Sequence, residues 1–114
     1  MTRLWLGVDV SDLCDDHLLG EHSEMHQEVG TWHRHPHGEA VVAGHVEEAQ
    51  VMPRRIRERH DALAREMAER GMNHDSPLED FDPSAMPQPT PEAMNGISEA
   101  NRQRLRRRCD DCAP

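Results

Sequence analysis

The chemistry open to this sequence is set by its arginines, carboxylates, histidines and three cysteines. All 13 basic residues are Arg and none is Lys. The chain opens MTRLWLGVDV, and the small second residue favours removal of Met1, which exposes the Thr2 amine. Nine His and a C-x-x-C formed by Cys109 and Cys112 raise the question of zinc. His33, His35 and His37 form an H-x-H-x-H run elsewhere in the chain. A structural zinc site needs four ligands at recognised spacing, and one C-x-x-C with a distant His run does not supply them. The residues therefore point to no metal. His60 reads as a helix-core histidine, and Cys14 as a small buried hydrophobe.

The elements that must position these groups are helical. The chain has 114 residues, enough for one small domain spanning 1–114, with 109–114 expected as a mobile tail. The predicted class is all-α: a compact single domain of three main helices with long connecting loops. The first helix should follow Ser11 as N-cap, with Asp12, Asp15 and Asp16 in its first turn, where the helix dipole favours acids. It should run to about Gln27 and end before Gly30. The second should start at Pro53 and end at Gly71. Ile56, His60, Leu63 and Met67 repeat at the spacing of one buried face. The third should span about Ile97–Arg108, with Ile97, Ala100 and Leu105 inward. Residues 31–45 read as a loop, with partial helicity across 39–50, and the Pro- and Asp-rich stretch 74–96 as a long connection.

Composition excludes several classes. No run approaches the roughly 20 apolar residues of a membrane span. Aromatics are restricted to Trp5, Trp32 and Phe81, which disfavours a β-sandwich. An odd cysteine count without a secretory leader argues against a disulfide scaffold and for an intracellular, cytoplasmic location. The net charge is −9, and an acidic, lysine-free composition fits a salt-loving host or its virus. Charge is also segregated: residues 1–30 carry one Arg and seven acids, whereas 101–108 carry five Arg and no acid. Such a basic stretch can meet a polyanion even on an acidic protein.

The segments MTRLW, LCDDHLLGEHSEMH, RHP at 34–36, RHDALAREMAERGMNHDSPL at 59–78 and ISEANRQRL at 97–105 resemble, in order, the pyrimidine-dimer DNA glycosylases, the family of the phage endonuclease V type. The resemblance implies a compact all-α enzyme. It would cleave the glycosidic bond of an ultraviolet-induced pyrimidine dimer and then nick the backbone by β-elimination, with no metal or organic cofactor. Its partner would be double-stranded DNA carrying pyrimidine dimers or abasic sites, and its expected state a monomer at the nucleoid.

Such a reaction needs an amine that forms an imine with deoxyribose. Lys is absent and the Arg guanidinium stays protonated. The terminal amine, with a reference pKa of about 7.7–8.0, keeps a neutral fraction. The family's nucleophile, the amine of a residue-2 Thr, maps onto Thr2, and its catalytic carboxylate onto Glu24. Gly20, one turn earlier, would leave the helix surface open to the sugar. Glu21 is the rival acid, favoured for a structural role. Arg3 would hold a phosphate and keep the amine neutral. His22 and His26 flank Glu24 and are candidates for contact with DNA or with Glu24. Ser23 and Gln27 stand where family members carry phosphate-clamping Arg, a loss that should reduce the salt dependence of DNA binding. Arg102 and Arg106, with their neighbours Arg104, Arg107 and Arg108, are the compensating phosphate contacts. Two other readings are a catalytically inactive DNA-binding module and a zinc-stabilised interaction module on the same scaffold.

Overall fold

The computed structural model describes residues 4–73 and 76–114. Thr2 and Arg3 lie outside the described residues. Five helices follow in order: α1 (Asp15–Arg34), α2 (Gly38–Glu47), α3 (Ile56–Glu69), α4 (Pro91–Met94) and α5 (Ile97–Arg108). No strand occurs among the described residues. The all-α class holds, but the expected three main helices are four substantial ones plus the single turn of α4. The radius of gyration is 13.7 Å, near the roughly 13 Å expected of one folded body of this length.

The first helix differs from expectation at both ends. Ser11 sits in a 3-10 turn over Val10–Asp12, capped by the Asp9 carboxylate. α1 begins four residues later, with Cys14 at the N-cap and no side-chain cap bond. It then runs through Gly30 to Arg34. A mid-helix Gly costs about 1 kcal/mol relative to Ala, and burial of Leu18, Met25 and Val29 outweighs that. The Arg34–Glu79 ion pair ties down the last turn. Extended His35 before Pro36 stops the helix.

α2 occupies the stretch read as a loop. Its three Val and two Gly lower intrinsic propensity, but Val42 and Val46, one turn apart, are buried against the rest of the core. Tertiary packing overrides propensity here. α3 buries Ile56, His60, Leu63 and Met67 as the periodicity predicts. Pro53 opens a 3-10 turn ahead of it. Gly71, at φ +78°, closes it, with the Met72 N–H returning to the Met67 carbonyl at 2.9 Å.

The 76–96 connection is not solvent-borne throughout: Leu78 and Met86 are buried. α5 has the predicted span, yet Ala100 is exposed and Ile97 half-buried. Leu105 is buried as expected, and Asn101 rather than Ala100 points inward beside it. Residues 109–114, expected as a mobile tail, fold back onto the start of α1. Cys112 is buried, and the Ala113 N–H donates to the Asp12 carbonyl at 2.8 Å. No helix among the described residues is long and apolar enough to cross a membrane.

Candidate active site on the first long helix

α1 packs on α2 and α3 through Leu18, Met25 and Val29. Two acids, Glu21 and Glu28, share that core-facing stripe and are nearly fully buried. Each has a basic side chain against it. Glu21 receives Arg59 through two bonds of 2.8 and 2.9 Å. Glu28 is joined by His45 Nδ1 at 2.9 Å. Burial holds the Glu28 carboxyl above its usual value, even with His45 opposing it. Glu21 is thus a structural acid, in keeping with the sequence reading.

The opposite side of α1 is open. Asp16, His17, Leu19, Gly20 and Ser23 line a cleft of about 520 Å³. Glu24, one turn on from Gly20, borders the same strip and is half-buried. Among the described residues no side chain hydrogen-bonds its carboxylate. Ser23 and Gln27 bond to each other at 3.0 Å on the exposed surface.

His22 and His26 are turned elsewhere. At about 100° per residue, each points well away from Glu24, toward α3. There the rings of His22, His26 and His60 cluster with centroids 4.7–5.0 Å apart. His60 is buried, as a core histidine, and reaches Asp61 through Nδ1 at 3.0 Å.

The segment entering the fold from the amino-terminal side is clamped. Five successive carbonyls, from Leu4 to Val8, each accept a bond from a side chain of α3 or α5. Arg104 donates to Leu4, and Arg59 to Trp5 at 3.1 Å and Val8 at 2.6 Å. Asn101 donates to Leu6 and Ser98 to Gly7, both at 2.8 Å. Leu4 and Trp5 are fully buried. The Trp5 ring meets His17 edge-on at 5.6 Å, which sets this segment against the cleft side of α1. Arg104 stacks over Trp5 at 4.2 Å, and Arg108 lies 6.0 Å from the same ring. Burial, with Arg108 beside it, lowers the Arg104 guanidinium from its usual value.

The α5 arginines therefore divide. Arg102 is engaged by Glu99 and Ser98, and Arg106 by Glu99 and the Pro114 carbonyl. Arg104 is a clamp. Arg107 and Arg108 are exposed at the helix end. The H-x-H-x-H run lies apart from the C-x-x-C pair. His33 bonds the Asp80 carbonyl and His35 the His37 N–H. The C-x-x-C thiols instead meet Cys14 and His17. Cys14 is half-buried with polar partners rather than a buried hydrophobe.

Sequence reasoning missed Arg59, Asn101 and Arg104 as organisers of the amino-terminal segment. A signal existed for Arg59: Leu18, Glu21, Met25 and Glu28 fall on one helical face, so that apolar stripe contains acids that demand cations.

The fold and site define an all-helical protein in which a carboxylate-bearing helix is set against a clamped amino-terminal segment and an arginine-rich helix. Residues 1–80 match the family described as pyrimidine dimer DNA glycosylase, and the chain belongs to that family. No curated protein and no solved structure matches it.

Proposed function

We propose that this chain excises pyrimidine dimers from double-stranded DNA and then cleaves the backbone as an AP lyase, using the Thr2 amine and Glu24. The observation that carries the reading is family membership in a chain with no lysine, whose first described residues are clamped beside the helix that bears Glu24. Two residues reach at most about 7 Å. Fixing Leu4 therefore fixes the origin from which a Thr2 amine has to act.

The flipped-out nucleotide would enter the open strip along Gly20 and Glu24. The amine lone pair attacks the anomeric carbon, the glycosidic bond breaks, and the base leaves with its electrons and takes up a proton. Loss of the amine proton leaves an N-glycoside; its nitrogen lone pair then expels O4′, which takes up a proton as the sugar ring opens, and the protonated imine forms. Glu24 stabilises the developing cation and relays protons. The imine acidifies the adjacent C–H; its removal expels the 3′ phosphate, and water releases the enzyme. Arg3 and the exposed Arg107 and Arg108 supply phosphate contacts, with Arg102 and Arg106 available only after exchange from Glu99.

Borohydride trapping on abasic and dimer-containing duplexes tests the reading. The expected product is a covalent protein–DNA adduct whose modified residue maps to Thr2. Glu24→Gln should bind DNA while losing nicking by at least about 100-fold. Nicking that survives acetylation of the terminal amine would refute the assignment. DNA binding without any nicking by the wild type would favour the inactive-module alternative, for which the absence of Arg at Ser23 and Gln27 is the motivating observation.

A further inference from the structure

We propose that Cys14, His17, Cys109 and Cys112 bind one zinc ion, which staples the carboxyl-terminal residues to the start of α1. This departs from the sequence expectation of no metal, and it stands apart from the glycosylase reading: metal content is measured without reference to DNA.

The ligand atoms of these four residues all lie within 4.8 Å of one another. A tetrahedral zinc with Zn–S near 2.3 Å sets its sulfurs about 3.8 Å apart, and Cys14 Sγ is 3.7 Å from Cys109 Sγ. Cys14 Sγ and His17 Nδ1 stand 3.1 Å apart, within about half an ångström of the separation a tetrahedral ion sets between sulfur and nitrogen. Three thiols and one imidazole form the closed tetrahedral donor set typical of structural zinc, with no position left for substrate.

Two features of the backbone fit thiolates at this place. Cys14 occupies the N-cap of α1, where Ser, Thr, Asp or Asn is favoured, yet it makes no cap bond. Its thiol is committed to the cluster. The Cys14 N–H donates to Cys112 Sγ at 3.2 Å, and the positive end of the helix dipole faces the sulfurs; both favour anionic sulfur. A disulfide accounts for less. It would join two of the four groups and leave one thiol and the imidazole converging on the same point without a purpose.

The staple acts at a distance in sequence. Ninety-five residues separate Cys14 from Cys109. The ion would lock the end of α5 to α1 and fix His17, which lines the cleft and packs on Trp5.

The test is elemental analysis of the full chain purified under reducing conditions without chelator. The expected result is about one zinc per chain. Replacement by cobalt should give the intense visible and thiolate charge-transfer bands of a tetrahedral sulfur site. The Cys109→Ser/Cys112→Ser variant should lose the metal, whereas His33→Gln should keep it. In the unmodified chain, stripping zinc should lower the melting temperature, with recovery on adding zinc but not magnesium. A metal-free chain that gives no cobalt bands on titration overturns the proposal. So does zinc retained at full stoichiometry in the double Cys variant.

Discussion

Arg59 is the residue whose loss should be felt most widely. Its side chain is 13% exposed and that of its partner Glu21 only 1%. Arg59→Met leaves a carboxylate buried without a cation, at a cost of about 3–5 kcal/mol. The Val8 carbonyl also loses the donor that holds it, about 1–3 kcal/mol more, while the Trp5 carbonyl keeps the Val8 N–H at 2.9 Å. Neighbouring effects overlap, so a total near 4 kcal/mol is expected. With a urea m-value of about 1.5 kcal/mol/M, the unfolding midpoint, followed by tryptophan fluorescence and far-ultraviolet circular dichroism, should fall by about 2.5 M. The double variant Glu21→Leu/Arg59→Met removes the orphaned charge and should regain most of the loss, since a buried pair replaced by apolar groups is often neutral. A single variant within about 0.5 M of wild type would refute the reasoning, given the magnitudes above. So would a double variant no more stable than the single one.

Three further outcomes follow from particular contacts. Gly38→Ala would put a Cβ 2.4 Å from the Thr31 carbonyl oxygen; the α1–α2 junction must then open, at about 1–3 kcal/mol by thermal or urea unfolding. Stability should decline in acid. Asp9 and Asp82 are held below 3.8 by Ser11 and Ser84, and Glu79 and Glu99 below 4.5 by Arg34 and Arg102. Folded values below the unfolded ones mean that the unfolded chain binds more protons, so this contribution is complete above about pH 4.5 and is lost as pH falls through the lowered values. Urea midpoints measured from about pH 6 down to pH 3 should show it, and added salt should flatten it because the groups are exposed. Finally, Arg107→Gln/Arg108→Gln should reduce the magnitude of the salt slope of DNA binding by about 2, whereas Arg102→Gln alone should change it by less than 1.

The sequence made visible what repeats locally. The stripe Ile56, His60, Leu63, Met67 gave the buried face of α3, and the span Ile97–Arg108 matched α5 at both ends. What it hid was long-range compensation. α2 depends on Val42 and Val46 finding the core, which no local propensity of a Gly- and Val-bearing segment announces. Ser11 has the chemistry of an N-cap, but the Asp9 carboxylate claims its N–H and hydroxyl, and α1 starts beyond it. The Ala100 position on α5 looked apolar, yet the neighbouring Asn101 turns inward because the Leu6 carbonyl needs a donor there. The candidate site divides in the same way. Glu24 and Gly20 share a helical face by spacing alone. The clamp on residues 4–8 joins side chains more than 50 residues away along the chain. The cysteines show the limit most sharply. C-x-x-C at 109–112 is a familiar half-site, but its complement is Cys14 and His17 in the first turn of a helix, a pair that reads as ordinary helix-start sequence until the fold closes.

Charge arithmetic over segments misleads for a related reason. The first 30 residues hold seven acids against one Arg, which suggests a surface that repels DNA. Glu21 and Glu28 are internal and paired, however, and Asp15 is held by Arg70 at 3.0 Å. The acids that border the cleft reduce to Asp16 and Glu24, the second of which is the proposed catalytic carboxylate. The arginines shrink too. Of five on α5, Arg102 and Arg106 are tied to Glu99, and Arg104 is spent on Trp5 and the Leu4 carbonyl. Of the α5 guanidiniums, those left to meet a polyanion are Arg107 and Arg108 at the helix end. Each phosphate contact contributes a slope of about −0.9 in log affinity against log salt. A protein with few such contacts loses little affinity as salt rises.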